Sequence, residues 1–269
     1  DARNLSLDMV DLQGCARRLS GDAIVLACGA RPRTLPDMPE GVHVLRSWAD
    51  ARNLRQALDA GARRAAVIGA GVLGCEIASS LRVREIDVTL LDMAPLPLAR
   101  LLGDGLGRLA RDWISDAGVH LRLGCSKIEV SSSVGGTYKL VADKGFETEC
   151  DIVIAAIGVA RETDWLEDSC VRCDNGVLCT AAGEVLDMSG KIIPGLYAAG
   201  DVCARQRADG RFERAENWTS AKTQGEAVAD ALSGHAPDAA YESDGYFWTD
   251  LFGRRMRNAG TPRPGSELR

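Results

Sequence analysis

The sequence predicts an α/β protein with two lobes, each built on a parallel β-sheet. Two observations carry this prediction: buried apolar runs that end at glycine recur along the chain, and one of them opens a glycine-rich turn that leads into a helix. The length of 269 residues is enough for two lobes, because domains usually contain about 100–150 residues. Hydrophobic residues make up 46% of the chain, as is ordinary for a globular protein.

The first predicted elements are a strand and a helix. Residues 22–29 form a mostly apolar run that ends at Gly29, which is typical of a strand covered on both faces. Arg31 and Pro32 then take the chain into a crossing loop. Residues 47–60 predict a helix, because Ser47 is a suitable N-cap and apolar residues follow at helical spacing.

The clearest unit in the sequence is a βαβ unit. It consists of a strand at residues 65–68, a glycine turn at 69–74, a helix that continues to about Leu81, and a strand at 88–91. The segments after it predict a helix at residues 106–117, a strand at 120–123 and an antiparallel hairpin at 128–141 that turns at Gly135 and Gly136.

Two later segments repeat the pattern of a buried strand that ends at glycine. Residues 151–157 lead to Gly158, and residues 195–199 lead to Gly200 and Asp201. The last helix is predicted at residues 220–232. Pro237 and an aromatic strand at residues 246–248 follow it, so that a third region begins there.

The glycine turn fits the dinucleotide fingerprint. Gly69 permits the tight turn, Gly71 lets the backbone approach a pyrophosphate, and Gly74 allows close helix packing. The N-terminus of the helix then faces the phosphates. The hexapeptide alone is weak evidence, but here it follows a predicted strand and opens a predicted helix, so we expect a Rossmann-like nucleotide site.

Asp92 closes the second strand of this unit, 23 residues after Gly69. A carboxylate there accepts hydrogen bonds from both ribose hydroxyls and repels a 2′-phosphate, which favours NADH over NADPH. Two alternatives stay open: Asp92 is a surface residue at a strand end, or the nearby Arg100 allows NADPH.

Charge and hydropathy exclude two classes of partner. The formal net charge is −6 and the basic residues are scattered, so the chain lacks the positive stripe that a nucleic-acid backbone attracts. The most apolar window, residues 65–81, contains Glu76 and several glycine and serine residues, and therefore does not predict a membrane span. Arg254, Arg255 and Arg257 form either a local basic docking face or a solvated edge.

The cysteines and the amino terminus predict a cytoplasmic protein without a metal site. No secretory signal is recognisable. The nine cysteines lie mostly in apolar runs, as Cys28, Cys75 and Cys203 do, which predicts reduced and buried thiols. Cys170 and Cys173 form the one local pair, and a zinc ribbon needs a second pair.

Three blocks in a fixed order resemble a known family. They are residues 26–32, the fingerprint extended to Glu76, and residues 197–201. In this order they resemble the pyridine nucleotide–disulfide oxidoreductase superfamily of flavoproteins that bind two dinucleotides. Residues 98–100, 216–218 and 247–250 are similar to its oxygenase-coupled ferredoxin reductase branch, which includes rubredoxin and putidaredoxin reductases.

The resemblance implies a domain plan. Residues 1–45 and 161–235 would form an FAD-binding lobe, residues 46–160 an inserted NAD-binding lobe, and residues 236–269 the start of an α+β interface domain. A full member of the family begins with a further strand and glycine fingerprint that hold the ADP half of FAD. We therefore expect the chain to be truncated at its amino terminus.

The resemblance also implies roles for residues near FAD. Gly200 and Asp201 form the second FAD motif, in which Asp201 bonds the ribityl and phosphate region. Arg31 would contact FAD near the crossing between the lobes, and Trp218 would lie beside the isoalloxazine. The alternatives are a helix-capping role for Asp201, a surface charge for Arg31 and a core position for Trp218.

Two residues are implied at the nicotinamide. A carboxylate in a mostly apolar helix is costly unless it has a partner. By resemblance, Glu76 would lie near the carboxamide and help to orient it. An exposed helix glutamate is the alternative. Gly158 would let backbone approach NAD at the carboxyl ends of the strands, where ligands bind in such sheets.

The implied activity is hydride transfer from NADH to FAD, followed by single-electron transfer to a ferredoxin- or rubredoxin-type acceptor. Two other enzymes remain open, the flavin subunit of a nitrite reductase and an NADH oxidase. A fragment that binds NAD without catalysis is the alternative outside the enzyme class.

Overall fold

The computed structural model describes residues 1–133, 135–143, 145–235 and 245–260. The chain divides into two compact units. Unit 1 comprises residues Asp1–Arg31 and Ala160–Phe247, and unit 2 comprises Pro32–Val159 and Trp248–Arg269. Unit 2 is thus inserted in the sequence of unit 1. No described helix combines the length and the apolarity that crossing a membrane requires.

Four α-helices lie within the described residues. They are α1 (Trp48–Asp59), α2 (Val72–Val83), α3 (Ala99–Asp116) and α4 (Trp218–Leu232). The strands are β1 (Ser6–Val10), β2 (Ala16–Ser20), β3 (Ile24–Leu26), β4 (Ala30–Pro32), β5 (Arg64–Ile68), β6 (Asp87–Leu91), β7 (His120–Arg122), β8 (Ile128–Ser132), β9 (Tyr138–Ala142), β10 (Phe146–Cys150), β11 (Ile152–Ala155), β12 (Val159–Arg161), β13 (Cys173–Asp174), β14 (Gly176–Cys179), β15 (Glu184–Leu186), β16 (Ile192–Ala198), β17 (Cys203–Gln206), β18 (Phe212–Glu213), β19 (Phe247–Leu251) and β20 (Arg254–Asn258).

Unit 2 is built on a parallel sheet with the strand order β11-β5-β6-β7. Ile68, the last residue of β5, is paired with Leu91 of β6 and with Ala155 of β11. The carboxyl ends of these three strands therefore meet at one edge of the sheet. This confirms the predicted βαβ unit and the parallel arrangement.

The sheet of unit 2 is covered on both faces. Alternate residues such as Ala66 and Ile68 pack with Leu140 and Cys150, which belong to an antiparallel sheet of β8, β9 and β10. Val67 points to the opposite face, because side chains alternate along a strand, and α2 packs against β5 and β6 there. The sheet thereby fixes the start of α2 at its carboxyl edge.

Unit 1 contains a mixed sheet of seven strands with the order β18-β17-β14-β15-β16-β3, to which β13 adds beside β14. Strands β3 and β16 are parallel, and Leu26 is paired with Ala198. The core of this unit includes Leu26, Val177, Leu196 and Val202. The segments that follow β3 and β16 consequently leave the sheet at the same edge.

Several details differ from the sequence prediction, and three of them concern the third helix, the first hairpin and Cys28. The third helix begins at Ala99 instead of 106, with a kink at Gly103, whose φ of 77° is not helical. The hairpin of β1 and β2 was not predicted, since most of its residues are exposed and form no apolar run. Cys28 is exposed, because it lies in the turn after β3, whereas Cys75 and Cys203 are buried as predicted.

The predicted domain boundaries remain predictions. Of the segment predicted to begin an interface domain, residues 236–244 and 261–269, including Pro237, lie outside the described residues. The described part forms a hairpin of β19 and β20.

Candidate functional site

The glycine turn of unit 2 is held against the neighbouring strand. Gly69 follows β5 with a φ of 107°, and a Cβ there would collide with the carbonyl oxygen of Ala156. A Cβ on Gly74, in the first turn of α2, would collide with the carbonyl oxygen of Gly69. Only glycine fits at these two positions, and the turn is therefore as tight as the fingerprint requires.

The space in front of α2 is open. A Cβ placed on Gly71 would meet no atom within 4 Å. Gly71 is the N-cap of α2 and provides no side-chain cap, so the first N–H groups of the helix lack that partner. Such a helix end attracts an anion such as a pyrophosphate.

Asp92 follows β6 and fixes the shape of this edge. One carboxylate oxygen accepts a hydrogen bond from the Ala70 N–H in the glycine turn, and the other accepts one of 2.7 Å from the Ala94 N–H. Its backbone N–H donates to the Arg122 carbonyl at 2.9 Å. Asp92 is half-buried, whereas Arg100, the residue that left NADPH open, is exposed on α3.

Glu76 lies one turn into α2 and is half-buried. Its Oε1 accepts a hydrogen bond of 2.6 Å from the Thr249 hydroxyl of β19. Thr249 is completely buried. The carboxylate thus has the partner that a charge in an apolar helix needs.

Gly158 and Cys75 lie near the same edge of the sheet, because Gly158 follows β11 and Cys75 is near the start of α2. Gly158 follows β11 with a φ of 92°, and a Cβ there would meet no atom within 4 Å. Cys75 is fully buried, and burial, with the charges of Asp92 and Glu76, raises the pKa of its thiol to about 12. Cys75 is therefore not a nucleophile at neutral pH.

The corresponding edge of unit 1 carries the turn of Gly200 and Asp201. Gly200 has a φ of 79° and opens a short 3₁₀ helix, Gly200–Val202. Its N–H donates to Oε1 of Gln224 at 2.7 Å, and the Cys203 thiol donates to the same oxygen at 3.1 Å. Gln224 of α4 is buried, and it ties this turn to the helix.

Arg214 lies beside the same turn. Its Nη1 donates to the Asp201 carbonyl at 3.2 Å, and its Nη2 pairs with the Glu216 carboxylate. The Nε atom of Arg214 is buried without a hydrogen-bond partner among the residues that the structure describes. A buried donor of this kind next to the turn fits a polar group of a bound ligand.

The other two predicted residues of unit 1 differ in their surroundings. The Arg31 guanidinium pairs with Asp164 at 2.6 Å and with Glu162 at 3.5 Å. Trp218 is the first residue of α4, and 67% of its surface is exposed. The core position considered for Trp218 is therefore wrong, and its indole is accessible for stacking.

Comparison with known proteins identifies the family. The model described as pyridine nucleotide-disulphide oxidoreductase matches residues 3–225, well over half of the chain. The chain belongs to the pyridine nucleotide-disulphide oxidoreductase family.

Similar proteins are named as ferredoxin and rubredoxin reductases. The ferredoxin reductase component of chlorobenzene dioxygenase from Cupriavidus sp. (strain PS12) is 31% identical over 266 residues, which are 97% of this chain and 60% of that protein. Rubredoxin-NAD(+) reductase from Pseudomonas putida is 30% identical over 251 residues, 92% of this chain and 63% of that protein. The chain spans about three fifths of the length of these relatives.

A solved structure agrees with the fold. The ferredoxin reductase for the CYP199A2 system from Rhodopseudomonas palustris has a TM-score of 0.84 and 26% identity, and the match covers 97% of this chain and 62% of that one. The predicted fold class and the predicted resemblance to ferredoxin and rubredoxin reductases are confirmed.

The geometry fits the two dinucleotides of this family to different extents. Unit 2 has a tight glycine turn, an uncapped helix end and a strand-end carboxylate, which together fit NAD. Unit 1 has the Gly200 turn and the buried Arg214 donor, which fit one part of FAD. Among the described residues, no group of three or more histidine, cysteine and acidic side chains could hold a metal ion.

Sequence reasoning missed Thr249, Gln224 and Arg214. Thr249 stood in the motif at residues 247–250, but its partner Glu76 is 173 positions away. Gln224 lies on the same face of α4 as the buried residues Ser220 and Val228, four positions away on either side. A polar residue at a buried helix position was the one signal in the sequence for its role.

Proposed function

We propose that this chain carries the NAD-binding unit and part of the FAD-binding unit of an NADH-dependent flavoprotein reductase. The observation that carries the proposal is the carboxyl edge of unit 2, where Gly69, Gly71, Gly74 and Asp92 form a nucleotide site around the start of α2. The similarity to ferredoxin and rubredoxin reductases supports the same function.

In this proposal the residues of unit 2 bind and orient NADH. The N-terminus of α2 receives the pyrophosphate next to Gly71. Asp92 accepts hydrogen bonds from the ribose hydroxyls and repels the 2′-phosphate of NADPH. Glu76 orients the nicotinamide carboxamide, and Gly158 leaves room for the cofactor at the strand ends.

The residues of unit 1 hold FAD. Gly200 and Asp201 contact the ribityl and phosphate region, Arg31 supplies a positive charge beside the cofactor, and Trp218 lies at the isoalloxazine. When both cofactors are bound they supply hydride transfer from nicotinamide to flavin, and the protein contributes orientation and electrostatics.

The proposed acceptor is a ferredoxin- or rubredoxin-type protein, because the similar relatives are named as reductases of such systems. The reaction is assigned to the cytoplasm. Exposed free thiols at Cys15, Cys28 and Cys173 support a reducing compartment. No nucleic-acid or membrane partner is proposed.

The test is a steady-state assay with NADH, added FAD and either a [2Fe–2S] ferredoxin or a rubredoxin, followed by the absorbance of the acceptor. We expect reduction of the acceptor that requires FAD and is faster with NADH than with NADPH. Parallel assays without an acceptor protein measure oxygen consumption.

Two results would contradict the proposal. Oxygen consumption as fast as NADH oxidation, with no reduction of either carrier protein, would identify an NADH oxidase. A chain that binds NADH and takes up no flavin would be a nucleotide-binding fragment without catalytic activity.

A further inference from the structure

The hairpin of β19 and β20 is attached to the helix that begins at the glycine turn. The Thr249 hydroxyl donates to Oε1 of Glu76 at 2.6 Å. The Phe252 N–H donates to the Ser79 hydroxyl at 2.8 Å. Glu76 and Ser79 are three residues apart and therefore lie on the same face of α2. The hairpin thus makes two similar hydrogen bonds to one helix face, and only one of them reaches a carboxylate.

A second contact anchors the hairpin independently of α2. The guanidinium of Arg254 lies over the ring of Trp113 in α3, 4.6 Å from its centroid. A cation placed over an aromatic face in this way is attracted to the ring. The hairpin would therefore keep a contact with this unit if one hydrogen bond to α2 were lost.

The Thr249 hydroxyl is held in one position by burial and by the restricted rotation of its side chain. Thr249 is completely buried, and threonine is restricted at χ1 because it is branched at Cβ. Glu76 is only half-buried and has a long side chain with several rotamers. The bond between them therefore holds the flexible partner in the place that the rigid partner sets.

The bond occupies one of the two carboxylate oxygens. Within the described parts of the chain, Oε1 of Glu76 accepts from Thr249 and Oε2 accepts no hydrogen bond. Oε2 is therefore available for a donor from a ligand. The amide of a nicotinamide carboxamide is such a donor, and it carries two N–H groups.

We propose that Thr249 is a positioning residue for the nicotinamide end of the NADH site: it holds Oε1 of Glu76 and so presents Oε2 to the carboxamide. This inference rests on the role proposed above for Glu76. It connects the β19–β20 hairpin to cofactor binding, because the orientation of Glu76 depends on a residue of that hairpin.

The inference predicts a loss of affinity that is limited to the nicotinamide half. Thr249→Val keeps a similar shape and removes the hydroxyl, so Glu76 regains its rotamers and must be ordered when the cofactor binds. We expect NAD⁺ to bind roughly tenfold more weakly, since the loss of one hydrogen bond to a charged group changes a dissociation constant by about this factor or more. ADP-ribose, which lacks nicotinamide, should bind to the variant as it does to the unaltered chain.

The experiment is calorimetric titration of NAD⁺ and of ADP-ribose into four forms of the 269-residue chain. They are the unaltered chain, Thr249→Val, Thr249→Ser and Ser79→Ala. Thr249→Ser retains the hydroxyl and should restore NAD⁺ binding. Ser79→Ala removes the other hydrogen bond of the hairpin without touching Glu76, and should leave the ratio of the two affinities unchanged.

Several outcomes would overturn the inference. They are equal binding of NAD⁺ by Thr249→Val and the unaltered chain, an equal loss for NAD⁺ and ADP-ribose, and a loss in Ser79→Ala as large as that in Thr249→Val. If the unaltered chain bound ADP-ribose as tightly as NAD⁺, Glu76 would not contact nicotinamide, and the proposed role of Glu76 would fail together with that of Thr249. The unaltered chain thus distinguishes the two failures.

Discussion

Asp92 is the residue on which the geometry of the nucleotide site depends most. Its two carboxylate oxygens bond to the N–H groups of Ala70 and Ala94, which lie in the glycine turn and in the loop after β6. Hydrogen bonds to a charged acceptor contribute about 1.5–3 kcal/mol each. Asp92 therefore stabilises the turn, and the proposed ribose contact would add a binding role to this structural one.

The variant Asp92→Asn tests this dual role. The amide places an NH₂ group against a backbone N–H, and one of the two hydrogen bonds is lost. We expect roughly tenfold weaker NADH binding and a smaller preference over NADPH, measured as two dissociation constants. Asp87→Asn is the matched control, because Asp87 begins the same strand at the opposite edge. Unchanged NADH affinity in Asp92→Asn would contradict the assignment.

Two glycines of the turn should respond differently to the same substitution. Gly71→Ala should fold with nearly unchanged stability, since a Cβ there meets no atom within 4 Å, and should lose NADH binding because the methyl group occupies the approach to the pyrophosphate. Gly74→Ala should lower the free energy of unfolding by about 1–3 kcal/mol, since its Cβ collides with the Gly69 carbonyl.

Denaturant unfolding and NADH titration of both variants provide the check. If Gly71→Ala bound NADH normally, the pyrophosphate would not lie at that position.

Sequence reasoning identified the residues of the glycine turn, because their spacing has a direct steric meaning. It could not identify the partner of Glu76, because Thr249 is 173 positions away and the contact depends on how the hairpin packs. Gln224 was missed for a similar reason. Its Oε1 accepts a hydrogen bond from the N–H of Gly200, 24 positions earlier, and no local sequence pattern indicates that contact.

At the scale of elements, the start of α2 contains a titratable group that ligand binding does not use. Burial raises the pKa of Cys75 to about 12, whereas an exposed thiol has a value of 9.0. The unfolded chain therefore loses this proton at lower pH than the folded chain. The contribution of this protonated thiol to the free energy of unfolding is fully present below pH 9 and is lost as pH rises towards 12.

We expect the free energy of unfolding to fall with rising pH in this window, and part of the fall to disappear in Cys75→Ala. At pH 10.5 the thiol should account for about 2 kcal/mol of the decrease. The measurement is denaturant unfolding of both proteins at pH 8 and pH 10.5, with Cys15→Ala as the control at an exposed cysteine. The same pH dependence in Cys75→Ala would show that this thiol is not the cause.

Elements with a local physical signal were predicted well. Ser47 caps α1, and its side chain and that of Asp50 form a capping box. The hairpin of β8 and β9 pairs in antiparallel register around Gly135 and Gly136, as predicted. Strand β10 was missed, because its alternation of apolar and polar residues extends over only five residues. Its pairing with β9 is visible only in the structure.

At the scale of the whole molecule, the order of motifs was more informative than any single motif. Unit 2 interrupts unit 1 in the sequence, and β3, before the interruption, is paired in parallel with β16, after it, so that the segments following these two strands meet at one sheet edge. A sequence pattern cannot show that edge, since it arises from the pairing of β3 with β16. The fold class could be predicted, and the motif at residues 247–250 indicated a ferredoxin- or rubredoxin-type acceptor, whereas the domain boundaries depend on packing that no motif describes.

The basic cluster near the end of the chain consists of Arg254, Arg255 and Arg257. Arg255 forms two hydrogen bonds with the Asp250 carboxylate, at 2.7 and 2.8 Å, and Arg254 lies over Trp113. Two of the three arginines are therefore engaged within unit 2. Their engagement reduces the charge available for docking an acidic acceptor.

The most direct test of the central claim is an anaerobic titration of the FAD-loaded chain with NADH, followed at the visible absorption band of the flavin. We expect the band to bleach with about one NADH per bound flavin, because hydride transfer carries two electrons. NADPH should bleach it more slowly, because the proposed role of Asp92 includes repulsion of the 2′-phosphate. A flavin that binds and stays oxidised in excess NADH would contradict the claim that these two units form a reductase.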